Sequence, residues 1–142
     1  MLTFLDLVLT RKRKALADAL CKNTTLPSLD LRYNSLGSGE KALAGAIFKN
    51  TALTSLNLRY NEFSYAVGNA LANALSTSTS LDLNTSSNNI GPGERKTLAD
   101  ALCKNTTLTS LNLASNKLGS EERKALATTF LKKNTDFYKS LV

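Results

Sequence analysis

The sequence predicts an α/β solenoid of strand–helix units, with the strands joined in one parallel sheet and the helices forming a second layer. Three observations predict it. An apolar block recurs at intervals of 27 to 28 residues. Within the block, leucines alternate with polar residues, the two-residue period of a strand with one buried face. Between blocks runs an Ala-Leu segment whose apolar residues fall at helical spacing.

The strand block reads Leu26-Pro-Ser-Leu29-Asp-Leu31-Arg-Tyr-Asn34-Ser-Leu36-Gly37. It returns as Leu53-Thr-Ser-Leu56-Asn-Leu58-Arg-Tyr-Asn61-Glu-Phe63 and as Leu108-Thr-Ser-Leu111-Asn-Leu113-Ala-Ser-Asn116-Lys-Leu118-Gly119. Residues Leu2 to Thr10 carry the pattern with Thr10 in place of asparagine, so the chain is expected to begin with a strand. In the third unit Leu81-Asp-Leu83 aligns with Leu29-x-Leu31 and Ser78 replaces the first leucine. Two extra residues then follow Leu83, so the turn is expected to bulge before Asn88, with an ending on Asn89 as the alternative register. Asn134 to Phe137 resembles the start of another unit, and Tyr138 to Val142 reads as a terminal strand. The expected organisation is a single domain, 1–142, of about five units, the third (about 78–104) irregular.

The helical segments are Ala15 to Leu20, Ala42 to Ile47, Ala70 to Leu75 and Thr97 to Leu102. Leu43, Ala46 and Ile47 share one face, with alanines suited to close helix contact. Gly37-Ser38-Gly39-Glu40 and Gly119-Ser120-Glu121-Glu122 supply a turn glycine, an N-capping serine and acids in the first helical turn, where the helix dipole favours negative charge. Pro92 suits a first helical position. Lys22, Lys49, Lys104, Lys132 and Lys133 fall near the opposite helix ends, where cations belong. Asn34, Asn61 and Asn116 are assigned to structure, because a short amide satisfies turn backbone groups that neither strand nor helix covers.

Composition narrows function mainly by exclusion. The 142 residues include 27 leucines, two cysteines and no histidine, with a net charge of +7. Without histidine the Ser-His and Cys-His pairings that activate a nucleophile are unavailable, and metal sites lose their commonest ligand, so no enzyme activity, cofactor or metal is expected. The positive charge favours encounter with acidic partners without choosing among them. Cys21 and Cys103 occupy equivalent places three units apart, too far for a bridge, and are read as free thiols filling small packing positions in a reducing compartment. The apolar start carries Asp6 and lacks the features of a secretion signal, and no apolar run reaches membrane-spanning length. A cytoplasmic location is therefore expected. Asn23, Asn84 and Asn105 begin Asn-x-Ser/Thr triplets, which are glycosylation acceptors only in a secreted chain.

The recurring Leu-x-x-Leu-x-Leu-x-x-Asn-x-Leu-Gly followed by the Ala-Leu helix resembles the ribonuclease-inhibitor-like class of leucine-rich repeats, over about residues 2 to 137. That class also occurs in nucleotide-binding innate-immune receptors and in Ran GTPase-activating protein. The resemblance implies a right-handed β-α superhelix with a curved parallel sheet on its concave face, helices on the convex face and a protein partner gripped by the sheet. Regulation of a small GTPase is the second function it suggests. No dedicated cap is evident, which points to a piece of a longer array or to ends covered by self-association.

With the leucines facing the helices, the residues between them face the concave side. These are Ser28, Asp30 and Arg32; Ser55, Asn57 and Arg59; Ser80, Asp82 and Asn84; Ser110, Asn112 and Ala114. Arg32 and Arg59 should lie side by side, each followed by a tyrosine, Tyr33 and Tyr60. Like charges on adjacent strands are mildly destabilising, and Arg and Tyr are enriched at binding hot spots. The alternative is an inherited surface pair partly neutralised by Asp30. The candidate partner-binding set is Asp30, Arg32, Tyr33, Asn57, Arg59, Tyr60, Asp82, Asn84 and Asn112. Arg11 to Lys14, with Arg95, Lys96, Arg123 and Lys124, form a lesser candidate, a basic rim for an anionic polymer or nucleic acid; its plainer reading is the solvated face of helices.

Overall fold

The computed structural model describes residues 10–36, 40–63, 81–91, 104–105 and 108–131. Helix α1 spans Thr10–Lys22, β1 Ser28–Asp30, α2 Glu40–Lys49, β2 Ser55–Asn57, β3 Leu81–Asn84, β4 Leu108–Asn112 and α3 Ser120–Leu131. The expected opening strand, the glycine turn at 37–39, Pro92, the helical segments at 70–75 and 97–102, Ser80, Cys103 and everything beyond 131 lie outside the described residues. Among the described residues, no helix is long and apolar enough to cross a membrane.

The four strands pair in parallel, in the order β1-β2-β3-β4. Leu29 stands opposite Leu56 and Asp30 opposite Asn57, an offset of one repeat, so equivalent residues line up in rows across the sheet. One face of these rows is apolar. Leu29, Leu31, Leu56, Leu58, Leu83, Leu111 and Leu113 are buried in a single cluster with Ala17 and Leu20 of α1, Leu43, Ala46 and Ile47 of α2 and Leu126 of α3. Each fully buried leucine stabilises by about 1.5–3 kcal/mol, and no single unit encloses its own leucines, so stacking is what makes the unit stable. The helical face expected from spacing, Leu43-Ala46-Ile47, is the one that is buried. Lys22 and Lys49 occupy the last turns of α1 and α2 as the helix dipole favours.

Three expectations need correction. In the third unit, Leu83 pairs with Leu56, and Asn84 with Asn57, so Leu83 is the second leucine of its motif, not the third. Thr85 fills the third leucine's slot, fully buried, with its hydroxyl donating to the Asn112 carbonyl at 3.3 Å. Asn88 follows Asn61 by 27 residues and the turn does not bulge. The irregularity falls at the strand's entrance, where the ladder to β4 shifts between Leu81 and Asp82: Leu81 pairs with Leu108, but Asp82 with Ser110. A unit one residue short between its first two leucines keeps both buried by skipping a residue in the neighbouring strand. Secondly, Thr10 does not close a strand turn but begins α1. By the 27-residue offset it matches Gly37, not Asn34, so α1 starts three residues ahead of the place equivalent to Glu40. Thirdly, Cys21 is exposed rather than a packing residue, because it lies one residue past the buried Ala17-Leu20 stripe, in the last turn of α1.

Two ladders of asparagine hold successive units together. In the turn ladder, Asn61 Nδ2 donates to the carbonyls of Leu58 (2.9 Å) in its own unit and Leu31 (2.8 Å) in the preceding one. Its Oδ1 accepts from the N–H groups of Asn34 (3.0 Å) and Leu36 (3.3 Å). Asn88 does the same for Leu58, Asn61 and Phe63, and Asn116 for Thr85 and Ile90. The assignment of these asparagines to structure thus acquires a geometry: one side chain serves two units.

The second ladder runs along the helix ends. Asn50 Nδ2 donates to the carbonyls of Leu20 and Asn23, both at 2.8 Å, while its Oδ1 accepts from Ala52 and Leu53. Asn23 caps Thr25 and Leu26, and buried Asn105 caps Leu108, in the same way. The recurring Lys-Asn-Thr at 22–24, 49–51 and 104–106 is its sequence signal. The triplets at Asn23 and Asn105 thus place capping side chains, and a glycan on Asn105 would have to be accommodated at a buried position.

Candidate functional site

The polar face of the sheet carries the predicted site residues in rows. Corrected for the register of β3, the first row is Ser28, Ser55, Asp82, Ser110 and the second Asp30, Asn57, Asn84, Asn112. Backbone bonds extend the ladder beyond the strands, from Tyr33 N–H to the Arg59 carbonyl (3.1 Å) and from Tyr60 N–H to the Ser86 carbonyl (3.3 Å). The third row is therefore Arg32, Arg59, Ser86, Ala114, and Asp82 and Asn84 each sit one row earlier than the sequence alignment had them.

The second row has a local task. In each unit the Oδ1 of Asp30, Asn57, Asn84 or Asn112 accepts from the N–H two residues later, at 3.0–3.2 Å. This turn of the side chain onto its own backbone fixes all four side chains in one orientation.

Arg32 and Arg59 lie in the same row just past the ends of the adjacent strands β1 and β2, and each guanidinium finds a different neighbour. Arg32 turns back onto Asp30, with Nε 2.8 Å from Oδ2. Arg59 has Asn57 in place of that carboxylate and turns forward, its Nη2 donating to the Tyr60 hydroxyl at 3.1 Å with Cζ 4.6 Å from the ring centroid. Its Nε is buried without a hydrogen-bond partner.

Tyr33 and Tyr60 are stacked, with ring centroids 4.5 Å apart and planes 14° apart. Equivalent residues of neighbouring parallel strands lie about 4.8 Å apart, so in-register rings are brought to stacking distance by the ladder itself. They are the exposed large apolar side chains among the described residues, Tyr33 at 61% and Tyr60 at 38%. Both sit at positive φ, 58° and 56°. Bulky residues avoid this left-handed region, at a cost of roughly 1–2 kcal/mol, and Ser87 and Ser115 hold the equivalent places in the next units.

The hydroxyl of Tyr60, which accepts from Arg59 Nη2, sits among groups that favour its ionised form. The neighbouring Ser87 hydroxyl, the charge and hydrogen bond of Arg59 and, least, the Tyr33 hydroxyl hold its pKa below the ordinary tyrosine value, outweighing the opposing effect of burial. The folded chain thus sheds this proton before the unfolded chain does, so stability rises with pH through the window just below the ordinary tyrosine value. Following absorbance at 295 nm, Ser87→Ala and Arg59→Met should each shift one tyrosine ionisation to higher pH. Superimposable titrations would contradict the arrangement.

Beside the stack lies a groove of about 300 Å³ walled by Tyr33, Ser35, Tyr60, Glu62, Ser87 and Asn89. Sequence reasoning found the tyrosines but missed the rest, since Ser35, Glu62 and Ser87 show no recurrence to mark them. The basic rim is only partly described. Arg123 donates from Nε and Nη2 to the Leu118 carbonyl and Lys124 pairs with Glu121 at 3.0 Å, whereas Arg95, Lys96 and the side chains of 11–13 lie outside the described residues. No group of three or more potential metal ligands gathers among the described residues.

A family model described as Leucine Rich repeat matches residues 22–39, 49–66 and 104–127, leaving aside the unit whose entrance is one residue short. No curated protein matches the chain in sequence. Among solved structures, the tropomodulin C-terminal domain of Caenorhabditis elegans superposes with a TM-score of 0.73 at 16% identity, covering 85% of this chain and 77% of that one. Leiomodin-1 actin-binding site 2 superposes with a TM-score of 0.73 at 19% identity, covering 91% and 76%. At such identities the likeness speaks for the fold, and with the repeated motif, the parallel sheet and the asparagine ladders it gives one conclusion: the chain is a leucine-rich-repeat protein.

Proposed function

We propose that this chain is a non-catalytic module that binds a protein partner through the strip formed by Arg32, Arg59 and the Tyr33–Tyr60 stack. The observation that carries this is the stack: two exposed aromatic rings kept at left-handed positions where the next two units hold serine. Strain of this kind persists where surrounding structure enforces it and concentrates at functional sites. Exposed Tyr next to Arg is also the composition of binding hot spots. In the second row Asp30 and Asn57 adjoin the strip, with Asn84 and Asn112 continuing that row into the next units, and Asp82 stands in the first row of the third unit.

Because one structural neighbour is named for an actin-binding site, actin is the first partner to try. Co-sedimentation with actin filaments, followed by affinity capture from lysate, should show a partner retained by the wild type and lost from Tyr33→Ser/Tyr60→Ser, with unchanged circular dichroism. Equal retention by the double variant would sink the site.

A further inference from the structure

We infer that the groove beside the tyrosine stack receives the side chain of an arginine presented by the partner protein. This rests on the reading of the strip as a protein-binding surface and names the chemistry it recognises. The ring of Tyr33 is covered by Tyr60 on one side yet remains 61% exposed, leaving aromatic surface open to a cation. Glu62, exposed and without an ion pair among the described residues, places a carboxylate in the same groove. Ser35 and Asn89 add oxygen acceptors at its edges.

A planar guanidinium, with donors in a fixed fork, stacks on a ring while bonding a carboxylate in its own plane; a lysine ammonium, compact and strongly hydrated, does the first less well and the second at a single point. The protein already makes half of this contact internally, with the Arg59 guanidinium packed against the Tyr60 ring. A volume of about 300 Å³ suits one inserted side chain rather than a segment of chain. The backbone sets the walls at a cost. The described non-glycine residues at positive φ are Tyr33, Ser35, Tyr60, Glu62, Ser87 and Ser115, and all but Ser115 line this groove.

The test uses the full chain and the peptide acetyl-Gly-Ser-Arg-Ser-Gly-amide, with versions carrying citrulline (the neutral isostere), lysine or glutamate at the centre. Binding is read from tyrosine fluorescence and NMR shifts at physiological salt. The arginine peptide should saturate with Kd on the order of 1 mM, and citrulline should bind about ten-fold more weakly. Tyr33→Ser and Glu62→Gln should each weaken the arginine peptide by about ten-fold. Circular dichroism should not change, since Ser87 and Ser115 already occupy the place of Tyr33 in other units. Citrulline binding as well as arginine, with both lost in Tyr33→Ser, would refute the cation and leave the binding strip standing. Preference for the glutamate peptide, or arginine binding undiminished in both variants, would overturn the groove assignment. A dimer of this chain dispersed by the arginine peptide would identify the occupant as a second copy and overturn its assignment to a different protein. Equal capture of a partner by wild type and Tyr33→Ser/Tyr60→Ser would refute the strip itself.

Discussion

Replacing Asn61 with alanine should destabilise the chain by about 4 kcal/mol, because its buried amide serves five backbone groups in two units and each buried group deprived of a partner costs about 1–3 kcal/mol. The Leu31 and Leu58 carbonyls keep second donors in Asn34 and Asn88, so the greater loss falls on the N–H groups of Asn34 and Leu36, whose acceptor disappears. Against a total of about 5–15 kcal/mol, a loss of this size lowers the melting temperature by roughly 8–16 °C. Thermal unfolding measures it, and a fall of under a few degrees would show that the ladder is dispensable. Hydrogen exchange adds a direction: the Leu36 amide should exchange faster, while the Asn61 amide, bonded to Asn88 Oδ1 at 2.9 Å, should keep most of its protection. Asn61→Asp offers a sharper discrimination. An aspartate retains the acceptor but sets a carboxylate against the Leu31 and Leu58 carbonyls, which raises its pKa in the folded state. That variant should gain stability as pH falls through the raised value, as protonation restores one donor.

Phe63→Ala should cost about 3–5 kcal/mol. Phe63 is only 1% exposed and stands in a row with Leu36, Ile90 and Leu118, one apolar residue after each turn asparagine. It is the largest of the four, so truncation leaves a void bounded by neighbouring units that are themselves pinned by the ladders and cannot collapse inward. Its backbone bonds, from N–H to Asn88 Oδ1 and from the Asn89 N–H to its carbonyl, survive the substitution, which makes this a test of packing alone. Phe63→Leu, matching Leu36 and Leu118, should cost under about 1.5 kcal/mol. Urea midpoints distinguish the two. An equal loss for alanine and leucine would mean that the site depends on the ring rather than on filled volume.

Sequence periodicity revealed the architecture because every unit repeats the same two spacings, and Leu29, Leu56 and Leu111 fall in one row as the motif implies. The third unit misled because Leu81 and Leu83 are chemically interchangeable with any leucine pair. Only the turn asparagine distinguishes their order, and counting back 27 residues from Asn88 to Asn61 would have placed Thr85 in the leucine slot. The helix-end ladder was written in the recurring Lys-Asn-Thr, but at Asn23 and Asn105 the same asparagine also begins an Asn-x-Thr triplet, and only that second pattern was singled out. Arg-Tyr recurrence pointed to the strip. Its chemistry was not legible, because which way each guanidinium turns depends on Asp30 being aspartate where Asn57 is asparagine, and because no periodicity reports a positive φ.

The turn ladder also has a polarity in time. Each asparagine oxygen accepts from N–H groups of the unit before it, so the turn at Asn34 and Leu36 is completed by residue 61, and that at Asn61 and Phe63 by residue 88. On a ribosome adding about 5–20 residues per second, every turn therefore waits on the order of seconds for its acceptor to be made. The array closes backwards as it is synthesised, each new unit locking the one already outside, and a pause between residues 36 and 61 would hold the first turn open with its amides exposed.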